Sequence, residues 1–181
     1  MIFLSLYIMK SRNKRKRCLS QKKKRKSNTK RNNDVNRTFY CGIRLDDESK
    51  SALVELLKKL EHEVPKFHHI KCDHVTIGFK RGLLSSEPPI GTKVQFTTNH
   101  FGFNDKAIAV KIDHDSIIDV NNGKTITLYP ENKLHITLAT HKKNNSRESN
   151  NITKWNKVDD INLTGTIGEF DSVKGWNITH D

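Results

Sequence analysis

Two copies of one short pattern are the residues of this 181-residue chain best suited to acid–base chemistry. They read His74-Val-Thr-Ile and His135-Ile-Thr-Leu, each a histidine, an apolar residue, a threonine and an apolar residue. Side chains alternate between the two faces of an extended strand, so His74 shares a face with Thr76, and His135 shares one with Thr137. The apolar members would anchor a core while each imidazole and hydroxyl points the other way. We interpret the pair as two halves of a candidate active site.

Two histidines suit the cleavage of a phosphodiester, in which one group takes a proton from the nucleophile and another gives a proton to the departing oxygen. The reference pKa of histidine, about 6.5, allows one copy to be neutral and the other charged near neutral pH. Thr76 and Thr137 can donate hydrogen bonds to the non-bridging oxygens, where charge builds up in the transition state. This chemistry needs no cofactor, and we expect none.

Residue types that bind zinc also cluster in one segment, as His68, His69, Cys72 and His74. No second ligand pair follows at a recognisable spacing, so a site without metal is the simpler prediction. The chain has three cysteines, Cys18, Cys41 and Cys72. They provide no disulfide framework and fit a reducing compartment.

Positive charge is concentrated near the N terminus. The formal net charge is +13, and 13 of the 33 lysines and arginines lie between Lys10 and Arg31, ahead of the first acidic residue, Asp34. We expect residues 1–36 to form a disordered basic arm, because self-repulsion and a scarcity of apolar residues across residues 10–36 oppose folding, and residues 37–181 to form one domain. The basic clusters of residues 10–31 leave three roles open: a nuclear import signal, an arm that binds nucleic-acid phosphates, or a solvated tail without a partner.

An apolar run at residues 2–8 precedes these charges. It is too short to span a bilayer, and a secretory signal would carry its positive charges in front of the apolar run. We therefore expect an intracellular protein, cytoplasmic or nuclear, that does not associate with membranes. We also expect it to be a monomer.

The elements that must hold the two motifs are mostly strands. A helix of about four turns is predicted between the acidic residues Asp46-Asp47-Glu48 and Pro65, and a short helix is predicted at residues 152–158. Strand patterns cover residues 38–45, 74–79, 92–99, 107–113, 124–129, 135–140, 161–167 and 169–176. This order predicts an α+β domain of mostly antiparallel sheet with few helices, with one histidine motif in each half. Trp155 and Trp176 are expected in the core.

The two motifs resemble those of the two-histidine phosphoesterases, the superfamily of LigT-like RNA ligases and cyclic phosphodiesterases. That family carries two His-x-Thr/Ser-x motifs in a bilobal α+β fold with a central cleft, and both copies here match at the defining positions. The resemblance covers roughly residues 38–176. The segment Ser146-Arg-Glu-Ser-Asn150 is also similar to a Ser-Asn-bearing loop that follows the second motif in the cyclic phosphodiesterase domain of fungal-type tRNA ligases.

This resemblance implies a metal-independent phosphodiesterase that hydrolyses a phosphodiester involving a ribose 2′-oxygen. Three substrates stay open: an RNA end with a 2′,3′-cyclic phosphate, a 2′–5′ oligoadenylate, and an immune cyclic dinucleotide such as 2′,3′-cyclic GMP-AMP. In some members, viral ones included, the last two activities blunt host defence. The resemblance assigns His74 and His135 to catalysis and Thr76 and Thr137 to phosphate binding, and does not say which histidine is the acid.

Four aromatic residues are further candidates for stacking a base of the substrate: Phe39, Tyr40, Phe79 and Tyr129. An alternative function also follows from the sequence, a noncatalytic nucleic-acid-binding protein that uses the basic arm and a degenerate scaffold. Deletion of residues 1–36 separates the two, since an enzyme should keep most turnover on a small nucleotide and a binder should lose most of its salt-dependent affinity.

Overall fold

Strands dominate the regular structure in a computed structural model, which describes residues 38–78, 89–128, 134–143 and 146–179. The elements are β1 (Phe39–Leu45), α1 (Asp47–Lys59), β2 (His69–Ile70), β3 (His74–Gly78), β4 (Lys93–Phe103), β5 (Ala107–Lys111), β6 (Ile118–Asp119), β7 (His135–Thr140), β8 (Asn156–Asp171) and β9 (Gly175–Asn177), with short 3₁₀ helices at His114–Ser116 and Ser146–Asn151. All strand pairs among the described residues are antiparallel.

Six of the strands close into a barrel in the order β4-β5-β7-β3-β1-β8, because β8 also pairs with β4. The length of β8 makes this closure possible. Residues 156–166 of β8 pair with β4, and residues 165–171 pair with β1. The predicted architecture of mostly antiparallel sheet with few helices is confirmed, whereas a bilobal arrangement stays a prediction.

One row of side chains across five neighbouring strands forms the centre of the core. Cross-strand pairing joins, in order, Ile167, Ile43, Val75, Ile136 and Val110. All five are fully buried, at 0% exposure. Because paired residues project from the same side of a sheet, the residues before and after each of them project from the side turned away from the core.

The helix α1 covers part of this core. Asp46 caps it by accepting a hydrogen bond from the backbone N–H of Ser49 at 2.9 Å, as the acidic sequence before the helix predicts. Leu53 and Leu56 are buried in the core. The helix has close to the predicted four turns but ends at Lys59, before the predicted end near Pro65, and the N–H of Leu60 closes its last turn on Leu56. The exposed residues Glu61, His62 and Glu63 then form a turn, and Val64 packs against the core from outside the helix.

Three predicted elements are wrong in detail. Residues 152–158 are not helical, because β8 begins at Asn156, and pairing with Phe101 on β4 satisfies its backbone. Residues 161–171 are one strand that continues through Gly168, where β9 passes so close that a Cβ would lie 2.5 Å from the carbonyl oxygen of Asn177. Residues 124–128 form no strand, apart from an isolated bridge between Thr125 and Ile118.

The predicted arm at residues 1–36 lies outside the described residues, and so do Phe79 and Tyr129. Their predicted roles stay predictions. Within the described part of the chain, α1 and the shorter helical turns fall short of the length and apolar character needed to cross a membrane.

Candidate active site

The two histidine motifs lie side by side on neighbouring antiparallel strands. Val75 on β3 pairs with Ile136 on β7, and both are in the core row. Because the strands are antiparallel, His74 lies opposite Thr137 on one side of this pair, and Thr76 lies opposite His135 on the other side. We call these four residues the His-Thr face. All four are half-buried and project away from the core.

The spacing on such a face suits one small ligand. In antiparallel sheets, directly opposite residues have Cβ atoms about 4.5–5.5 Å apart, and diagonal neighbours are about 7–8 Å apart. His74 and His135 are diagonal neighbours, with a threonine opposite each. Two imidazoles and two hydroxyls can therefore contact the same group from different sides.

A break in the ladder between β2 and β3 sets this register. Ile70 on β2 pairs with Ala139, so an unbroken ladder would pair residue 75 with residue 134, whereas Val75 pairs with Ile136. The two extra residues are absorbed between the strands at Cys72, whose φ of 50° is in the left-handed region that few side chains adopt. Because the register shifts by two residues, the side chains of the core face and of the His-Thr face stay on the same sides of the sheet as in an unbroken ladder.

The imidazole of His74 is held on several sides. Its Nδ1 lies 2.9 Å from a carboxylate oxygen of Asp73. The ring of Tyr40 stacks on it with centroids 4.9 Å apart and planes 22° apart, and Trp176 meets it edge-on at 5.8 Å. The His74 side chain keeps 24% of its surface exposed. It is thus an oriented ring with a remaining open side.

Electrostatics around this ring follow from the same contacts. Burial alone would raise the pKa of Asp73, but the hydrogen bond and the charge of His74 outweigh it and lower that pKa. Burial, with a smaller contribution from the charge of Asp73, raises the pKa of Tyr40 well above its ordinary value. Asp73 is therefore a carboxylate and Tyr40 a neutral phenol near neutral pH.

Tyr40 packs among protein rings. It stacks on Phe170 at 4.9 Å as well as on His74, and it is only 7% exposed. Its predicted role in stacking a base stays a prediction, and the geometry gives it a different contact, as a support for His74. Trp176, expected in the core, instead lies half-buried beside His74 and Tyr40. The pairing of β8 with β9 brings it there, and the prediction of one strand over residues 169–176 missed the turn at 172–174 that joins them.

At the second motif, Thr137 has a hydroxyl partner that sequence reasoning missed. Its Oγ1 lies 2.9 Å from the Oγ of Ser149, which is 1% exposed and belongs to the 3₁₀ helix Ser146–Asn151. That helix packs on β5 and β7. The Ser- and Asn-bearing segment Ser146–Asn150 is the sequence signal that could have found Ser149.

Two cations flank the His-Thr face. Arg44 on β1 pairs with His74, and Lys111 on β5 pairs with His135, so each cation projects from the same side as its histidine. Arg44 is exposed, and the Lys111 ammonium lies 3.2 Å from Asp113. Sequence reasoning did not find either residue, because cross-strand neighbours 24 or more positions apart leave no local pattern.

The zinc-type residues near His74 do not converge. Cys72 is 1% exposed, and its thiol donates to the carbonyl oxygen of Leu138 at 3.4 Å. Burial raises the pKa of this thiol to about 12, which disfavours the thiolate that zinc requires. His68 and His69 are exposed. In the ranges that the structure describes, no three His, Cys, Asp or Glu side chains form a group that could hold a metal ion.

No protein-family model matches this chain, and no curated protein matches it. Among solved structures it is similar to a crystal structure of a fungal RNA kinase, with a TM-score of 0.46 and 20% sequence identity. The similarity covers 71% of this chain and 41% of that one, so the match spans about two fifths of the kinase chain.

Proposed function

We propose that this protein is a hydrolase that cleaves a phosphodiester involving a ribose 2′-oxygen by two-histidine acid–base catalysis. The substrate is an RNA end with a 2′,3′-cyclic phosphate, a 2′–5′ oligoadenylate or a cyclic dinucleotide such as 2′,3′-cyclic GMP-AMP. His74 and His135 are the acid and the base, and Thr76 and Thr137 bind the phosphate.

The reaction divides between the two imidazoles. One neutral histidine accepts a proton from water as the water oxygen attacks phosphorus, and the charged histidine protonates the ribose oxygen as its bond to phosphorus breaks. The threonine hydroxyls donate to the non-bridging oxygens, whose negative charge grows in the transition state. Arg44 and Lys111, beside the two histidines, attract the anionic substrate and favour that charge.

The observation that carries this proposal is the pairing of Val75 with Ile136. It joins the two His-x-Thr motifs into one four-residue cluster on the side of the barrel away from the core. Each histidine then has a threonine directly opposite and the other histidine on the diagonal. A pair of strand histidines with only structural roles would have no reason to share a face with two hydroxyls and two flanking cations.

Turnover of three substrates, assayed side by side in excess chelator, tests the proposal. The substrates are an RNA ending in a 2′,3′-cyclic phosphate, a 2′–5′ adenylate oligomer and a mixed-linkage cyclic dinucleotide. We expect hydrolysis of at least one, and a loss of about a hundredfold or more on either His74→Ala or His135→Ala. His62→Ala is the matched control, because His62 is exposed in the turn after α1. Full activity with both site histidines replaced would refute the proposal.

The alternative of a noncatalytic nucleic-acid-binding protein predicts a different result. Removal of residues 1–36 should then abolish most of the salt-dependent affinity for RNA. For the hydrolase, the same truncation should leave most of the turnover of a small nucleotide. For the hydrolase, we also propose that residues 10–31 act in nuclear import or in binding nucleic acid. Its proposed location is cytoplasmic or nuclear.

A further inference from the structure

The contact between Asp73 and His74 is unusual for neighbours in sequence. Adjacent residues of a regular strand project to opposite faces, so their side chains do not normally meet. Here the Asp73 carboxylate lies 2.9 Å from Nδ1 of His74. Asp73 belongs to the irregular connection 71–73, directly after Cys72 with its positive φ, and its carbonyl oxygen accepts from the N–H of Leu45 at 3.0 Å. The ladder break that sets the register of β3 thus also brings a carboxylate to the histidine.

This contact determines where the hydrogen atoms of the imidazole are. A carboxylate is an acceptor only, so Nδ1 of His74 must carry a hydrogen. In the neutral ring the lone pair is then on Nε2, and in the charged ring Nε2 carries the second hydrogen. Nε2 has no hydrogen-bond partner among the described residues, so it is the nitrogen left to accept a proton from a substrate or to give one.

A second contact fixes the plane of the same ring. Tyr40 stacks on one face of the imidazole and is itself backed by Phe170, with both centroid distances at 4.9 Å. A histidine side chain has a broad preference about its last torsion, so the ring alone does not choose an orientation. Turning it over would break the bond to Asp73, and tilting it would break the stacking on Tyr40.

We infer that Asp73 and Tyr40 are positioning residues for His74, which hold its imidazole in the tautomer with hydrogen on Nδ1 and direct Nε2 to the substrate. The inference rests on the proposed function, because it assumes that His74 transfers a proton. It gives Asp73 and Tyr40, both outside the His-x-Thr motifs, a part in orienting His74.

The experiment is nitrogen-15 NMR of the imidazole resonances, combined with steady-state kinetics. In the wild-type protein, neutral His74 should show the Nδ1-protonated tautomer. Asp73→Ala removes the acceptor, and Asp73→Asn allows an amide N–H to donate to Nδ1, which favours the opposite tautomer. Both should lose the wild-type tautomer and lower kcat by roughly 10- to 100-fold, with a smaller change in KM. Asp105→Asn is the matched control, since it removes a carboxylate from an exposed turn.

Tyr40 is tested by a pair of variants. Tyr40→Phe keeps the stacked ring, so it should retain the wild-type tautomer and lose less kcat than a variant without the ring. Tyr40→Leu removes the ring and should lower kcat while circular dichroism shows a folded protein. An equal kcat for both Tyr40 variants would overturn the part assigned to Tyr40.

The outcomes for Asp73 separate this inference from the proposed function. An Asp73→Ala protein that keeps the wild-type tautomer overturns the inference, and so does one that loses the tautomer and keeps the wild-type kcat. Full activity of His74→Ala would instead refute the proposed function. The NMR measurement uses no turnover, so it would still decide whether Asp73 sets the tautomer.

Discussion

Gly42 offers a direct test of how closely the strands that carry the site are packed. It pairs with Thr76, and a Cβ built on it would lie 2.4 Å from the carbonyl oxygen of Val75 and 3.2 Å from the ring of Trp176. An ordinary contact is 3.4 Å or more, so Gly42→Ala must move β1 from β3 by about 1 Å. Overpacking of this kind costs about 1–3 kcal/mol of unfolding free energy. A domain of this size should then lose about 3–10 °C in Tm.

The same displacement should reach the chemistry, because β3 carries His74 and Thr76. A misplacement of about 1 Å in a catalytic group can lower the rate by about a hundredfold. Urea unfolding followed by tryptophan fluorescence gives the stability, and kcat on the best substrate gives the effect on the site.

The control is Gly123→Ala, where a Cβ meets no atom within 4 Å but the backbone has a φ of 69°. We expect it to cost about 1–2 kcal/mol through its left-handed backbone and to leave kcat unchanged. A Gly42→Ala protein whose unfolding free energy stays within about 0.5 kcal/mol of the wild type, the range of an ordinary surface substitution, would contradict the close approach of β1 and β3.

Three further outcomes follow from the contacts described. Ser149→Ala leaves the Thr137 hydroxyl without its partner and should cost about 1–2 kcal/mol in urea unfolding, with Thr137→Ser expected to be milder because it keeps the hydroxyl. The pKa of Asp73 is lower in the folded protein than in the unfolded chain, so its contribution to stability is present above about pH 4 and lost as the pH falls. The difference in unfolding free energy between wild type and Asp73→Asn should therefore shrink between pH 6 and pH 3. A constant difference would contradict the ion pair with His74. Cys72 should resist alkylation at pH 8 in the native protein and react after unfolding, as measured by peptide mass spectrometry, because its thiol is buried and its pKa is raised to about 12.

Local patterns predicted a large part of the fold. The alternation of apolar and polar residues in β3 and at the start of β7 sets which side chains enter the core, and the acidic residues at the start of α1 mark where that helix begins. These predictions succeed because strand alternation and helix capping depend on residues within a few positions of each other. The prediction of a helix at residues 152–158 was wrong because the structure of this segment depends on a distant part of the chain. Its backbone is paired with β4, more than 50 positions away, and local propensity does not record that partner.

The features of the candidate site are likewise of two kinds, those set by local sequence and those set by contacts between distant strands. The sequence by itself determined that each histidine shares a face with a threonine, since this follows from the two-residue period of a strand. Only the tertiary structure decided that the two motifs are neighbours, that Asp73, Tyr40 and Trp176 surround His74, and that Ser149 meets Thr137. Those contacts depend on strand register, which the break at Cys72 and the packing of the core set together. Register is a property of two strands at once, and a single stretch of sequence carries only one of them.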